Sequence, residues 1–177
     1  MGSLVGTRVS LQAVSAGDGA EFIALAREST AMHRHLIRAP TTAAEFDAYL
    51  ARFDGVAAIG YVVRVNGTGE LAGLVNFNGI TRRPKRCAAL GFGGFAATSG
   101  HGYVGEAVLL GVRYAFEKLG LDRLEADVQP GNGASRGIVE RAGFRPAGST
   151  TSIRIDGEWR EHERWVRLAD SGGPGRV

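Results

Sequence analysis

The sequence predicts an α/β fold, α+β by some schemes, built on a central mixed, mostly antiparallel sheet of about seven strands flanked by about four helices. Two observations carry this. The connections Asn66-Gly-Thr-Gly69 and the basic turn at 81–86 are short enough to join three strand-like runs as an antiparallel meander. Beyond Gly102 the pattern changes to helix, strand, helix, which supplies the crossover that a parallel pair of strands requires.

In chain order, RVSLQA at 8–13 alternates as a strand. The run from Asp18 has helical periodicity, with Asp18 placed as its N-cap. After Pro40, Thr42-Ala-Ala-Glu45 matches a capping box, and Phe46, Tyr49, Leu50 and Phe53 form one stripe of the helix that follows. Strands are expected at 57–65, 71–78 and 86–95. From Gly102 to Leu119, Val104, Val108, Val112, Ala115 and Leu119 share a helical face, and the helix stops at Gly120 before a strand at 123–129. A second amphipathic helix carrying Ile138 and Val139 ends at Gly143, and strands at 144–155 and 163–168 close the order. Residues 1–169 read as one domain and 170–177 as a disordered tail.

With 177 residues, 44% of them hydrophobic, the chain is long enough to close one core without staples. The lone Cys87, expected to be buried in a strand, excludes an intramolecular disulfide, and no Cys/His cluster has zinc spacing. A reducing cytoplasm and no metal are the expectation. There is neither a signal-like start nor a run of eighteen apolar residues, so secretion and membrane spanning are not expected. The net charge is +3, with basic residues scattered except at 81–86. That loop reads as a solvated hairpin connection, or alternatively as a contact for a phosphate or an acidic peptide. Direct nucleic-acid binding is not expected.

"SGHGYVGEA" at 99–107 places Gly100, Gly102 and Gly105 as GxGxxG at a helix start. Unpaired N–H groups and the helix dipole make such a start receptive to phosphate. A dinucleotide site would need a preceding parallel strand and an acid about 20 residues on. The run 86–95 and Asp127 fit those places, but hairpin-linked strands do not make a doubly wound parallel core. A purely structural turn is the further alternative.

Ser99-Gly-His-Gly-Tyr-Val104 resembles the Q/R-x-x-G-x-G/A loop of the GNAT acyl-CoA N-acyltransferases, with Ser99 replacing Gln/Arg and Val104 replacing the last small residue. "RLEADVQPGNGASRGIVERAGFRPAG" is similar to that family's strand, Asn-x-x-Ser/Ala helix and Gly-Phe strand. "IDGEWREHERW" resembles the closing segment of its RimJ/RimL branch, the ribosomal-protein-alanine N-acetyltransferases and relatives. The likeness runs from about residue 7 to 168.

The resemblance implies that the coenzyme A pyrophosphate meets Ser99, Gly100, His101, Gly102, Tyr103 and Val104. It implies that the strands at 86–95 and 123–129 splay around the pantetheine, and Gly91, Gly93 and Gly94 fit such a close approach. Asn132 and Ser135 would face the pantetheine arm, and a backbone N–H near Phe95 would polarise the thioester. The implied reaction moves acetyl from acetyl-CoA directly to a primary amine, a protein N-terminus or a small molecule, releasing CoA without a metal. The adenosine 3′-phosphate is one candidate for the basic loop, and a homodimer is an allowed form.

Acyl transfer to an amine needs a neutral amine, an oxyanion donor and a proton for the departing thiolate. Ser135 is the candidate proton donor, because Val139 stands where many family members carry Tyr. Alternation in RLEADVQ puts Arg123, Glu125, Asp127 and Gln129 on one strand face. Glu125 or Asp127 could take the ammonium proton, or both could simply pair with arginines. His33 and His35 could orient or deprotonate an amine, or lie on the surface; His162 has the same two readings, and Trp159 and Trp165 are expected to pack. Two other classes remain: a noncatalytic acyl-CoA sensor and an NAD-dependent oxidoreductase.

Overall fold

The computed structural model describes residues 3–170, so the expected tail lies, from residue 171, outside the described residues. Eight strands, β1 (Leu4–Val5), β2 (Val9–Ala13), β3 (Ile59–Val65), β4 (Leu71–Thr81), β5 (Cys87–Gly94), β6 (Arg123–Val128), β7 (Arg145–Ile155) and β8 (Glu158–Leu168), form one sheet. Its order is β1-β2-β3-β4-β5-β6-β8-β7. Every neighbouring pair is antiparallel except β5 and β6. The α-helices are α1 (Gly19–Glu28), α2 (Thr30–His33), α3 (Ala43–Leu50), α4 (Tyr103–Glu117), which makes the parallel crossover, and α5 (Gly133–Arg141).

Helical and strand periodicity sort the apolar side chains onto two faces of this sheet. On one, Val108, Val112 and Ala115 of α4 and Val139 of α5 pack with Tyr61, Phe77, Leu90, Leu124, Ala126 and Trp165. On the other, Phe22 of α1 and Phe46 and Tyr49 of α3 pack with Val62, Leu71, Leu74 and Phe95. Phe22 meets the Phe95 ring edge-on at 5.2 Å. A glycine at 73 lets the sheet close at its centre, since a Cβ there would lie 2.4 Å from the Gly93 carbonyl oxygen.

Several local expectations are corrected. The two-residue β1 and the one-turn α2 were too short to carry a periodic signal. Asp18 stands at the N-cap of α1 as expected, but its side chain makes no capping bond there: its carboxylate accepts from Ser15 N–H at 2.8 Å and Ser15 O–H at 2.9 Å, and pairs with Arg64. Thr42 caps α3 through Glu45 N–H, but the Glu45 carboxylate reaches back to Thr41 N–H rather than to Thr42. The last strand begins at Glu158, because the Asp156-Gly157 pair, both with positive φ, makes a tight hairpin. Trp159 on that hairpin is 70% exposed rather than packed, whereas Trp165 is buried. Cys87 is only half-buried, at the first residue of β5.

Candidate active site where two strands part

The parallel pairing runs from Cys87↔Arg123 to Ala89↔Glu125 and stops, although β5 continues to Gly94 and β6 to Val128. The two strands therefore part, opening a gap in the middle of the sheet. Antiparallel pairing with β4 fixes which backbone groups of β5 face that gap. Phe95 N–H donates to Ala72 O at 3.3 Å, so alternate residues back along β5, Gly94 and Phe92, turn their amides away from β4. Phe95 thus has its own amide committed, and Ala96 N–H donates to Ser29 Oγ at 2.8 Å. The amides that face the gap belong to Gly94 and Phe92, one and three residues before Phe95. Beside them, His33 Nε2 lies 2.7 Å from Gly94 O.

At the end of β5 the chain turns into α4 through Gly100 and Gly102, both left-handed (φ 82 and 77). Glycine adopts that conformation without steric cost, and as N-cap Gly102 has no side chain to occupy the first amides of α4. Arg8 stands over this turn. It donates to His101 O at 3.0 Å, pairs with Glu106 at 2.8 Å, and lies 5.6 Å from the Tyr103 ring centre. Partial burial pushes the Glu106 carboxyl up, but the Arg8 amide and guanidinium outweigh it and hold it below the usual range. The His101 ring stacks on Tyr103 at 5.4 Å, and Ser99 N–H is taken by Ala96 O. Val104 packs where β4 and β5 carry glycine: a Cβ at Gly73 or Gly94 would lie 3.1 or 3.0 Å from Val104 Cγ2. The larger residue in that place is accommodated by bare backbone beneath it. Uncapped amides, left-handed glycines and an adjacent guanidinium together fit a phosphate-bearing group.

Arg8 was missed in the sequence, where only its distance of 98 residues from Glu106 is visible. The basic hairpin at 81–86 lies at the opposite end of β5 from the glycine turn, about 25 Å away at strand rise. The arrangement gives no support to its holding the same ligand.

On the far lip, Arg123, Glu125 and Asp127 do share a half-buried face of β6, opposite the buried Leu124, Ala126 and Val128. Asp127 is held bidentately by Arg164 of β8, at 2.9 and 3.1 Å. Glu125 pairs with Arg123 at 2.7 Å and with Arg164 at 3.2 Å. The Asp127 bond raises Arg164 above its ordinary value. Both carboxylates are thus engaged in the arginine pairing that was the alternative reading. Asn132 caps α5, its Oδ1 accepting from Ser135 N–H at 3.1 Å, and places both side chains beside the end of β6.

Neither His33 nor His162 is a surface residue: they are 7% and 4% exposed. His162 Nδ1 lies 2.9 Å from Arg160 O. His33 lines a cavity of about 320 Å³ together with Thr30, Arg34, Arg38, Glu45 and Asp156. His35 has φ 63, and Gln129 of the β6 end donates to its carbonyl. Among the described residues, no group of His, Cys, Asp or Glu is arranged to hold a metal, and no helix is long and apolar enough to cross a membrane.

A mixed sheet parted between its two parallel strands, with an anion-receptive turn at the mouth of the gap, defines an architecture of the acyl-CoA acyltransferase class. Residues 8–145 match the acetyltransferase (GNAT) domain family, and the chain belongs to that family. It is 38% identical over 95 residues to the probable N-acetyltransferase YjcK of Bacillus subtilis (strain 168), covering 53% of this chain and 52% of that protein. It is 29% identical over 108 residues to the ribosomal protein uS5 alanine N-acetyltransferase of Escherichia coli (strain K12), covering 60% of this chain and 56% of that one. The chain therefore spans little more than half the length of the curated relatives it matches. The solved structure of Mycobacterium smegmatis RimJ in complex with CoA-disulfide shares the fold, with TM-score 0.78 and 22% identity over 91% of this chain and 82% of that one.

Proposed function

We propose that this protein is an N-acetyltransferase of the RimJ/RimL-like branch, transferring acetyl from acetyl-CoA directly to a primary amine, either a protein N-terminus or a small molecule, in the cytoplasm. The observation that carries this reading is the parted β5–β6 pair with the uncapped α4 turn at its mouth. Bound there, acetyl-CoA supplies an acyl thioester. The amides from Tyr103 to Gly105 and the Arg8 guanidinium would receive the pyrophosphate, with Ser99, Gly100, His101, Gly102 and Val104 shaping the turn. Gly94 or Phe92 N–H would donate to the thioester oxygen as negative charge builds on it, taking the place first given to Phe95. Asn132 and Ser135 would line the arm of the ligand, and Ser135 O–H would supply a proton to the departing thiolate. Because Glu125 and Asp127 are already paired, their proposed role is to border the acceptor cleft and hold Arg123 and Arg164 in place, not to take the proton from the amine.

A noncatalytic acyl-CoA sensor is the second reading. It is favoured by one observation: Val139 is fully buried in the core and offers no proton donor. The test is thermal unfolding with acetyl-CoA, CoA, NAD and NADP in parallel, followed by an amine screen. A ligand at a hundred times its Kd stabilises by about 2.7 kcal/mol. Acetyl-CoA and CoA are expected to stabilise and the nicotinamides to do nothing. Stabilisation by NAD alone would overturn the reading, and CoA binding with no turnover on any amine would favour the sensor.

A further inference from the structure

The turn after α2 is tied to both lips of the gap. Leu36 N–H bonds to His33 O at 2.9 Å, Arg34 has φ −46 and ψ 124, and His35 has φ 63. These are the angles of a type II turn with a histidine where glycine is usual. Such a conformation persists only when its surroundings hold it. Here His33 holds Gly94 on β5, while Gln129 beyond β6 holds His35 O and Arg160 of β8 lies 3.2 Å from His35 Nδ1.

A carbonyl oxygen can only accept, so the 2.7 Å contact with Gly94 places the imidazole proton of His33 on Nε2. A neutral ring then carries its lone pair on Nδ1, and no described residue is seen to donate to that atom. This is the arrangement of a base whose tautomer is fixed by a third group. His33 lines the cavity of about 320 Å³ and also bonds the β5 lip at Gly94 O. The two carboxylates nearest the gap, by contrast, are each held by arginine.

We propose that His33 is the proton acceptor of the transfer reaction. The assignment rests on the acetyltransferase reading above. The amine nitrogen forms a bond to the acyl carbon, the carbon–sulfur bond breaks, and its electron pair stays on sulfur. One proton passes from the amine nitrogen to His33 Nδ1 and then to solvent, and the sulfur receives one from Ser135 O–H, itself reprotonated by water. The charged groups facing His33 are Arg34 and Arg38 from its own segment, Glu45 of α3, paired with Arg38 at 3.3 Å, and Asp156 of the β7–β8 turn. The Phe95 ring covers it at 6.0 Å. Protonation at low pH removes the lone pair, so turnover must fall on the acid side.

His33→Gln keeps a donor for Gly94 O but has no basic atom. With an alanine-initiated peptide as acceptor, kcat/KM is expected to fall about 10²- to 10⁴-fold. The acid limb of log kcat/KM should lose one unit of slope, what is left being protonation of the acceptor amine itself, and stabilisation by acetyl-CoA should survive. Added imidazole should restore part of the turnover of His33→Ala. Nitrogen-15 NMR of histidine-labelled protein without acetyl-CoA should show His33 protonated at Nε2. Turnover of His33→Gln within about two-fold of the parent, an unchanged acid limb, or an Nδ1–H tautomer would each overturn the assignment. If acetyl-CoA fails to stabilise the unaltered protein, the acetyltransferase reading falls first, and the two failures are told apart.

Discussion

At the scale of the residue, Arg64 shows how one side chain fixes an element. From β3 it meets Asp18 at 2.6 Å and Glu21 at 2.5 Å, while the other Glu21 oxygen accepts from Leu71 N–H at 3.1 Å, so α1 is fastened to two strands at its first turn. Burial alone would push the Asp18 carboxyl up; the bonds from Arg64 and Ser15 outweigh it and leave it below the usual range. A carboxyl lowered by folding adds stability that is full above its unfolded value near 3.9 and is lost as pH falls through the folded value. Asp18→Asn is therefore expected to cost about 1–3 kcal/mol at neutral pH. In urea unfolding the difference from the parent should shrink below about pH 4; a difference unchanged down to about pH 2 would refute this account. The sequence made Asp18 visible as a helix-start residue, because Asp before a periodic run is a local signal. Its partner Arg64 lies 46 residues away, and nothing in the spacing reveals it. The same holds for Arg8 at the glycine turn and for Arg164, 37 residues from the Asp127 it holds.

At the scale of the element, the positions of β4, β5 and α4 depend on what glycine omits. The predicted strands, the α4 face and the capped α5 were legible because periodicity and caps are local. Where β5 and β6 cease to pair was not, since an end of pairing leaves no mark in either strand beyond the glycines at 91, 93 and 94. Gly73 tests the packing. A methyl there would stand 2.4 Å from Gly93 O and 3.1 Å from Val104 Cγ2, so backbone on the β5 lip must move. Gly73→Ala should destabilise by about 1–3 kcal/mol and weaken stabilisation by acetyl-CoA. Gly131→Ala, where a Cβ meets nothing within 4 Å, is the control and should change neither. Equal effects from both substitutions would refute the packing account.

At the scale of the whole molecule, eight strands in one sheet would give continuous backbone pairing, and the structure interrupts it beyond Ala89 and Glu125. A sheet opened there presents amides with no strand partner, and exchange protection follows hydrogen bonding and burial. Amides of Phe92 and Gly94 should then exchange with deuterium faster than those of Val62 and Val75, which are fully buried in the paired strands β3 and β4. Acetyl-CoA should slow exchange in two separated stretches, Leu90–Gly94 and Gly100–Gly105, because the proposed ligand bridges the lip and the glycine turn. It should leave the basic hairpin at 81–86 unchanged, since that loop sits at the far end of β5. Protection confined to the hairpin would move the ligand to the other end of the sheet. Protection of the glycine turn alone would keep the anion site but remove the ligand from between the strands, and with it the case for acyl transfer at Gly94.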